Sequence, residues 1–103
     1  MVQIATNTNF DALIATDKPV LVDMWAVWCG PCRMLSPTVD DIANEHPEFQ
    51  VIKCNVDDCD ELADRFGIRS IPTLLYLKDG ELRDKTIGVI AKDIIVEKLN
   101  QLI

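Results

Sequence analysis

The segment Val20-Leu21-Val22-Asp23-Met24-Trp25-Ala26 is apolar at every position but one, and it is introduced by Pro19. A run this short and this apolar is expected of a β-strand covered on both faces, because a strand with one face in water alternates apolar with polar residues. Strands buried on both sides belong to sheets with helices packed above and below, so this segment alone points to an α/β arrangement. The rest of the chain reads accordingly. Gln3-Ile4 begins a short strand, and Asn9 to Ala15 has helical spacing with Phe10, Leu13 and Ile14 on one side. A helix is expected from Pro31 to about Glu45, with Leu35, Val39 and Ile42 on one stripe. Val51 to Val56 is a second central strand, and Asp60 to Phe66 a short helix closed by Gly67. Thr73 to Leu77 and Glu81 to Ile87 form a hairpin through Lys78-Asp79-Gly80, and a last helix runs from Lys92 to about Leu102. The order β-α-β-α-β-α-β-β-α predicts a mixed sheet of about five strands with about four helices on both faces. At 103 residues the chain, 1–103, is expected to be a single domain.

The chemistry concentrates where the buried strand hands over to the first long helix, at Trp28-Cys29-Gly30-Pro31-Cys32. A spacing of three residues puts both thiols on one helical face, with a Cα separation near the roughly 5–6 Å that a disulfide needs. Cys29 sits at the helix N-terminus, where free N–H groups and the helix dipole favour a thiolate, so its pKa is expected below that of a free cysteine. Pro31 suits the first turn, which has no N–H partner to lose. Cys32 lies deeper and is expected to be more buried. Cys29 is therefore the candidate nucleophile and Cys32 the resolving thiol. A rival reading joins this pair to Cys54 and Cys59 as a zinc site, C-x2-C followed by C-x4-C. Against it, the first pair opens a helix and Cys54 falls in a strand. Taken alone, Cys54 reads as a small core residue and Cys59 as a partly exposed residue near a helix start. A regulatory thiol or second disulfide there is left open.

Asp23 is the one charge in the apolar strand, six residues before Cys29, and alternation puts it on the face of Leu21 and Trp25. Burial should raise its pKa and make it able to take a proton from Cys32 near neutrality. Lys53 is a second polar residue in a central strand, and it either lies close enough to Asp23 to tune it or snorkels to solvent. Ser70-Ile71-Pro72-Thr73 precedes a strand, where proline is tolerated as punctuation.

Together Val22-Asp23-Met24-Trp25-Ala26, Trp28-Cys29-Gly30-Pro31-Cys32, Gly67-Ile68-Arg69-Ser70-Ile71-Pro72-Thr73 and Lys78-Asp79-Gly80-Glu81 resemble the thioredoxin family over essentially the whole chain. The resemblance implies the thioredoxin fold and a thiol–disulfide oxidoreductase that reduces protein disulfides. It implies that Ile71-Pro72 is a cis-proline loop, and that Trp28, Gly30, Pro31, Ile71, Pro72, Gly88 and Val89 form the docking surface around an exposed sulfur. Pro37 matches a kink in the long helix. The implied partners are disulfide-bearing proteins and an NADPH-dependent thioredoxin reductase, with no bound cofactor. Met24, Val27, Val89 and Ala91 depart from the usual pattern, Val27 where a polar residue is common and Ala91 where a serine cap is frequent. Two other classes compete with the redox reading, a redox-inert binding module and the zinc module. Glycine and proline between the cysteines resemble reducing members rather than oxidases or isomerases.

A net charge of −7 provides no basic stripe for nucleic acid and argues against anionic membrane surfaces. The first residues carry no basic, apolar leader pattern, so the cytoplasm is the expected compartment and a monomer the expected state.

Overall fold

The computed structural model describes residues Met1–Ile103. Its elements are β1 (Gln3–Ile4), α1 (Phe10–Leu13), β2 (Val20–Trp25), α2 (Gly30–Glu45), β3 (Gln50–Asn55), α3 (Asp60–Arg65), β4 (Thr73–Lys78), β5 (Glu81–Ile87) and α4 (Lys92–Asn100). The five strands form one sheet in the order β1-β3-β2-β4-β5. Strands β1 and β2 run parallel to β3, as crossover helices require, whereas β2–β4 and β4–β5 are antiparallel. The mixed sheet expected from the element order is the one observed, and every element lies within a few residues of its expected bounds.

Strand β2 occupies the middle of the sheet, which explains its continuous apolarity. Val22 and Met24 face a core made with Phe10, Ile52, Cys54, Leu62, Leu75 and Leu77, closed by α1 and α3. Leu21 faces the opposite core, where Leu35, Val39 and Ile42 of α2 meet Ile95 and Leu99 of α4. Each fully buried aliphatic side chain contributes about 1.5–3 kcal/mol, so the two cores clamp the central strand from both sides. Strand β5, at the edge, is exposed along its length and carries Glu81, Arg83, Asp84 and Lys85, charges that discourage pairing with another chain.

The β4–β5 connection is a two-residue turn in which Asp79 has φ 54° and Gly80 φ 77°. Two successive left-handed residues match the twist of the hairpin, and only the glycine adopts this conformation without strain. Gly80→Ala should lower stability by about 1 kcal/mol, measured by urea unfolding, with the slope of the transition unchanged.

Candidate active site

The active-site helix starts at the cysteine pair for a local reason. Cys29 is the N-cap of α2, extended at φ −93° and ψ 110°, and its sulfur accepts the backbone N–H of Cys32 at 3.2 Å. A sulfur thus fills the place that Ser or Asp takes at other helix starts, and Pro31 occupies the first turn as expected. The two cysteines are joined as a disulfide, with Cα atoms 5.3 Å apart. The loop before them is held by Arg33, whose Nη1 donates to the Val27 carbonyl at 2.8 Å.

Several of the residues named from the sequence stand around the disulfide. Trp28 is 67% exposed, and its indole N–H donates to Asp57 at 2.9 Å. The Ile71–Pro72 bond is cis, and the Ile71 carbonyl oxygen lies 3.7 Å from the Cys29 sulfur. The Gly88 N–H donates to the Pro72 carbonyl at 2.8 Å, which ties the Gly88-Val89 turn to the same rim. Gly30 opens α2, and Val27 and Val89 are exposed beside the site. As a whole residue Cys29 is 5% accessible and Cys32 2%, with Trp25, Val56 and Ile71 packed against them.

Beneath the disulfide lies Asp23, 1% exposed at the centre of the sheet, with Lys53 opposite it on β3 and Leu74 on β4. With a strand paired on each side of β2, Asp23 is held out of bulk solvent. Its Oδ1 has no hydrogen-bond partner. Burial, offset in part by the Lys53 charge and reinforced by Asp40, pushes its pKa from 3.8 up to about 6. Asp23, Trp25, Cys32, Arg33, Ser36 and Lys53 line a cavity of about 70 Å³, room enough for water. Lys53 does not pair with Asp23. Its ammonium donates to Ser36 Oγ at 2.6 Å and meets Asp40 Oδ1 at 3.0 Å.

Cys54 and Cys59 are free thiols on the opposite side of the sheet, among the residues under α1 and α3. The four cysteines therefore do not converge as C-x2-C with C-x4-C would need, and no cluster of three or more His, Cys, Asp or Glu is present. Cys59 is fully buried, not partly exposed as expected. The turn after β3 folds its side chain inward, where the thiol donates to the Ala5 carbonyl at 3.3 Å. Burial raises both thiols, Cys54 to about 12, so neither is a nucleophile at neutral pH. Asp57, Ser36 and Asp40 went unnoticed in the sequence. The last two stand four and eight residues after Cys32, a helical spacing that marks one stripe of α2.

Residues 1–101 match the family profile described as Thioredoxin. The chain belongs to the thioredoxin family. It is 49% identical over 100 residues to a thioredoxin of Porphyra purpurea, an alignment covering 95% of this chain and 94% of that protein. It is 43% identical over 104 residues to the chloroplastic thioredoxin M-type of Pisum sativum, covering 99% of this chain but 60% of the relative, and it spans about half of the Triticum aestivum M-type protein. Among solved structures, a mutant thioredoxin from Halobacterium salinarum NRC-1 superposes with a TM-score of 0.91 at 32% identity, covering 98% of this chain and 89% of the other. The chain has the thioredoxin fold, and its disulfide pair stands at the helix start where a thiol–disulfide oxidoreductase needs it. No helix is long and apolar enough to cross a membrane.

Proposed function

We propose that this thioredoxin-family chain reduces protein disulfides by cycling the Cys29–Cys32 pair between dithiol and disulfide. The observation that carries the reading is the capped disulfide at the start of α2, one sulfur of which already accepts an amide N–H. That N–H, with the helix dipole, favours negative charge on Cys29 once the bond is reduced.

In the dithiol form the Cys29 thiolate attacks one sulfur of the substrate disulfide. A Cys29–substrate disulfide forms, and the other substrate sulfur leaves as a thiolate that takes up a proton. Cys32 then gives its proton to the Asp23 carboxylate, directly or through water in the intervening cavity. The Cys32 thiolate attacks the Cys29 sulfur, closes the Cys29–Cys32 bond and expels the second substrate thiolate, which is protonated in turn. The substrate gains two electrons and two protons, and this chain ends in the disulfide state seen in the structure. Asp23 suits the proton step because a carboxyl group poised near 6 can accept and return a proton around neutrality. Trp28, Ile71, Val89 and the neighbouring backbone offer an extended substrate segment an apolar rim beside the sulfur.

An NADPH-dependent thioredoxin reductase is the proposed source of electrons, by likeness to the family. The cytoplasm is the proposed compartment, supported by two thiols that remain free. The test is the equilibrium potential of the Cys29–Cys32 couple in glutathione buffers, with alkylated species counted by mass spectrometry. A value near the roughly −270 mV already known for thioredoxin is the expected result. A value towards about −180 or −120 mV would reassign the chain to isomerase or oxidase work, and no reversible couple would refute the redox reading.

A further inference from the structure

We infer that Ser36 and Asp40 are positioning residues: they hold the Lys53 ammonium on the wall of the cavity it shares with Cys32, out of a direct pair with Asp23, and so set how readily Asp23 takes up a proton. The inference rests on the proton role proposed for Asp23, and it concerns what sets that role.

Cys32, Ser36 and Asp40 are successive members of one i, i+4 row on α2, and this row lies over β2 and β3 where Asp23 and Lys53 stand side by side in register. Lys53 thus has two carboxylates to choose between. Asp23 is buried and its Oδ1 is unpartnered, whereas Asp40 is half exposed. An ammonium beside Asp23 would favour its charged form strongly, as an opposite charge at close range does. Instead the ammonium is taken by the 2.6 Å hydrogen bond to Ser36 and the 3.0 Å ion pair with Asp40. Asp40 keeps much of its hydration there, so the pairing avoids the cost of burying a second full charge next to the first.

The other groups facing Asp23 do not substitute for this arrangement. On α2 these are Cys32, which is in the disulfide, and Arg33, which lines the same cavity but directs its guanidinium to the Val27 carbonyl. On β3 the neighbouring Cys54 is a neutral thiol in the other core, and on β4 the register partner is Leu74. Lys53, beside Asp23 in register, is therefore the cation placed to swing onto it, and Ser36 and Asp40 are what it would have to leave.

The test is the titration of the Asp23 carboxyl carbon, followed by NMR in the oxidised protein, in Ser36→Ala, Asp40→Asn and the double variant. The expected result is a downward shift of the Asp23 midpoint, by roughly one pH unit in the double variant as Lys53 turns inward. The acid limb of the resolution rate should move down with it. The same substitutions in a Lys53→Met background separate a clamp from a through-space effect of Asp40. There the shift should largely vanish. An unmoved midpoint in the double variant, or a shift that persists in full without Lys53, would overturn the inference. Because the titration needs no turnover, it decides the clamp independently of whether the chain reduces disulfides. The clamp stands if the midpoint moves and the potential measurement fails, and it falls if the reverse is found.

Discussion

Asp23→Asn should melt roughly 12–24 °C above the unsubstituted protein at pH 7, and at the same temperature as it near pH 3. The reason lies in the central strand, where a carboxylate is ionised with one oxygen unpartnered. Its folded-state pKa of about 6 stands about two units above its ordinary 3.8. At about 1.36 kcal/mol per unit, the charge costs the folded state about 3 kcal/mol once both states have lost the proton. Between pH 4 and 6 the folded chain still holds a proton that the unfolded chain has released, so stability falls as pH rises through that window. The deficit is then constant above about pH 7. Below about pH 3 both states are protonated and no deficit remains. Asparagine keeps the shape and never ionises, so the advantage of the variant should open across the same window. For a domain near 100 residues, 1 kcal/mol moves the midpoint by about 4–8 °C. Thermal scans of both proteins from pH 3 to pH 8 measure it, and parallel melting curves at all pH values would contradict the buried charge. The same variant should resolve the mixed disulfide more slowly, since its amide cannot accept the Cys32 proton. A stability gain with a loss of function is the pattern expected where a strained group is kept for chemistry.

Cys32→Ser should end turnover and leave the substrate attached. With Cys29 intact the first attack proceeds, because its thiolate and the amide N–H aimed at it do not depend on the second sulfur. With no thiol at 32, nothing expels the second half of the substrate. The product is one covalent adduct per chain, visible as a mass increase that a small dithiol removes. Cys29→Ser should show no adduct and lose activity on the order of 10³-fold or more, as expected when the nucleophile itself is removed. Adduct formation by Cys29→Ser through Cys32 would reverse the assigned roles.

How much of this was legible depends on the range of the interaction. The face on which Asp23 lies followed from strand alternation, and the geometry of the cysteine pair followed from helical spacing, since both are settled by residues within a turn or two. Burial of Cys29 was not legible, because Ile71, which covers it, is 42 positions away and arrives through the tertiary fold. Cys59 was misjudged for a related reason. Its side chain is turned inward by an irregular stretch after β3, where Asn55 accepts the N–H groups of both Asp58 and Cys59, and no periodicity describes such a turn. For Lys53 the sequence left two places open, near Asp23 or out to solvent, and the register of β2 on β3 sets it beside Asp23. Its choice of Ser36 and Asp40 is a contest between two carboxylates that only their relative hydration decides. The uncapped start of α4 at Ala91 was visible directly in the residue type, and the structure shows no side-chain cap there.

The sheet that separates the two cysteine pairs also limits what the molecule can carry. Sulfur exchange requires contact between sulfurs, and Cys54 and Cys59 face a core on the far side of β2 from Cys32. Their hydrogens are out of reach of the working pair, so they add nothing to its reducing capacity. In the proposed cycle each molecule holds one pair of electrons, passed together in one encounter. Sustained flux then depends on how often the chain is recharged rather than on any reserve within it.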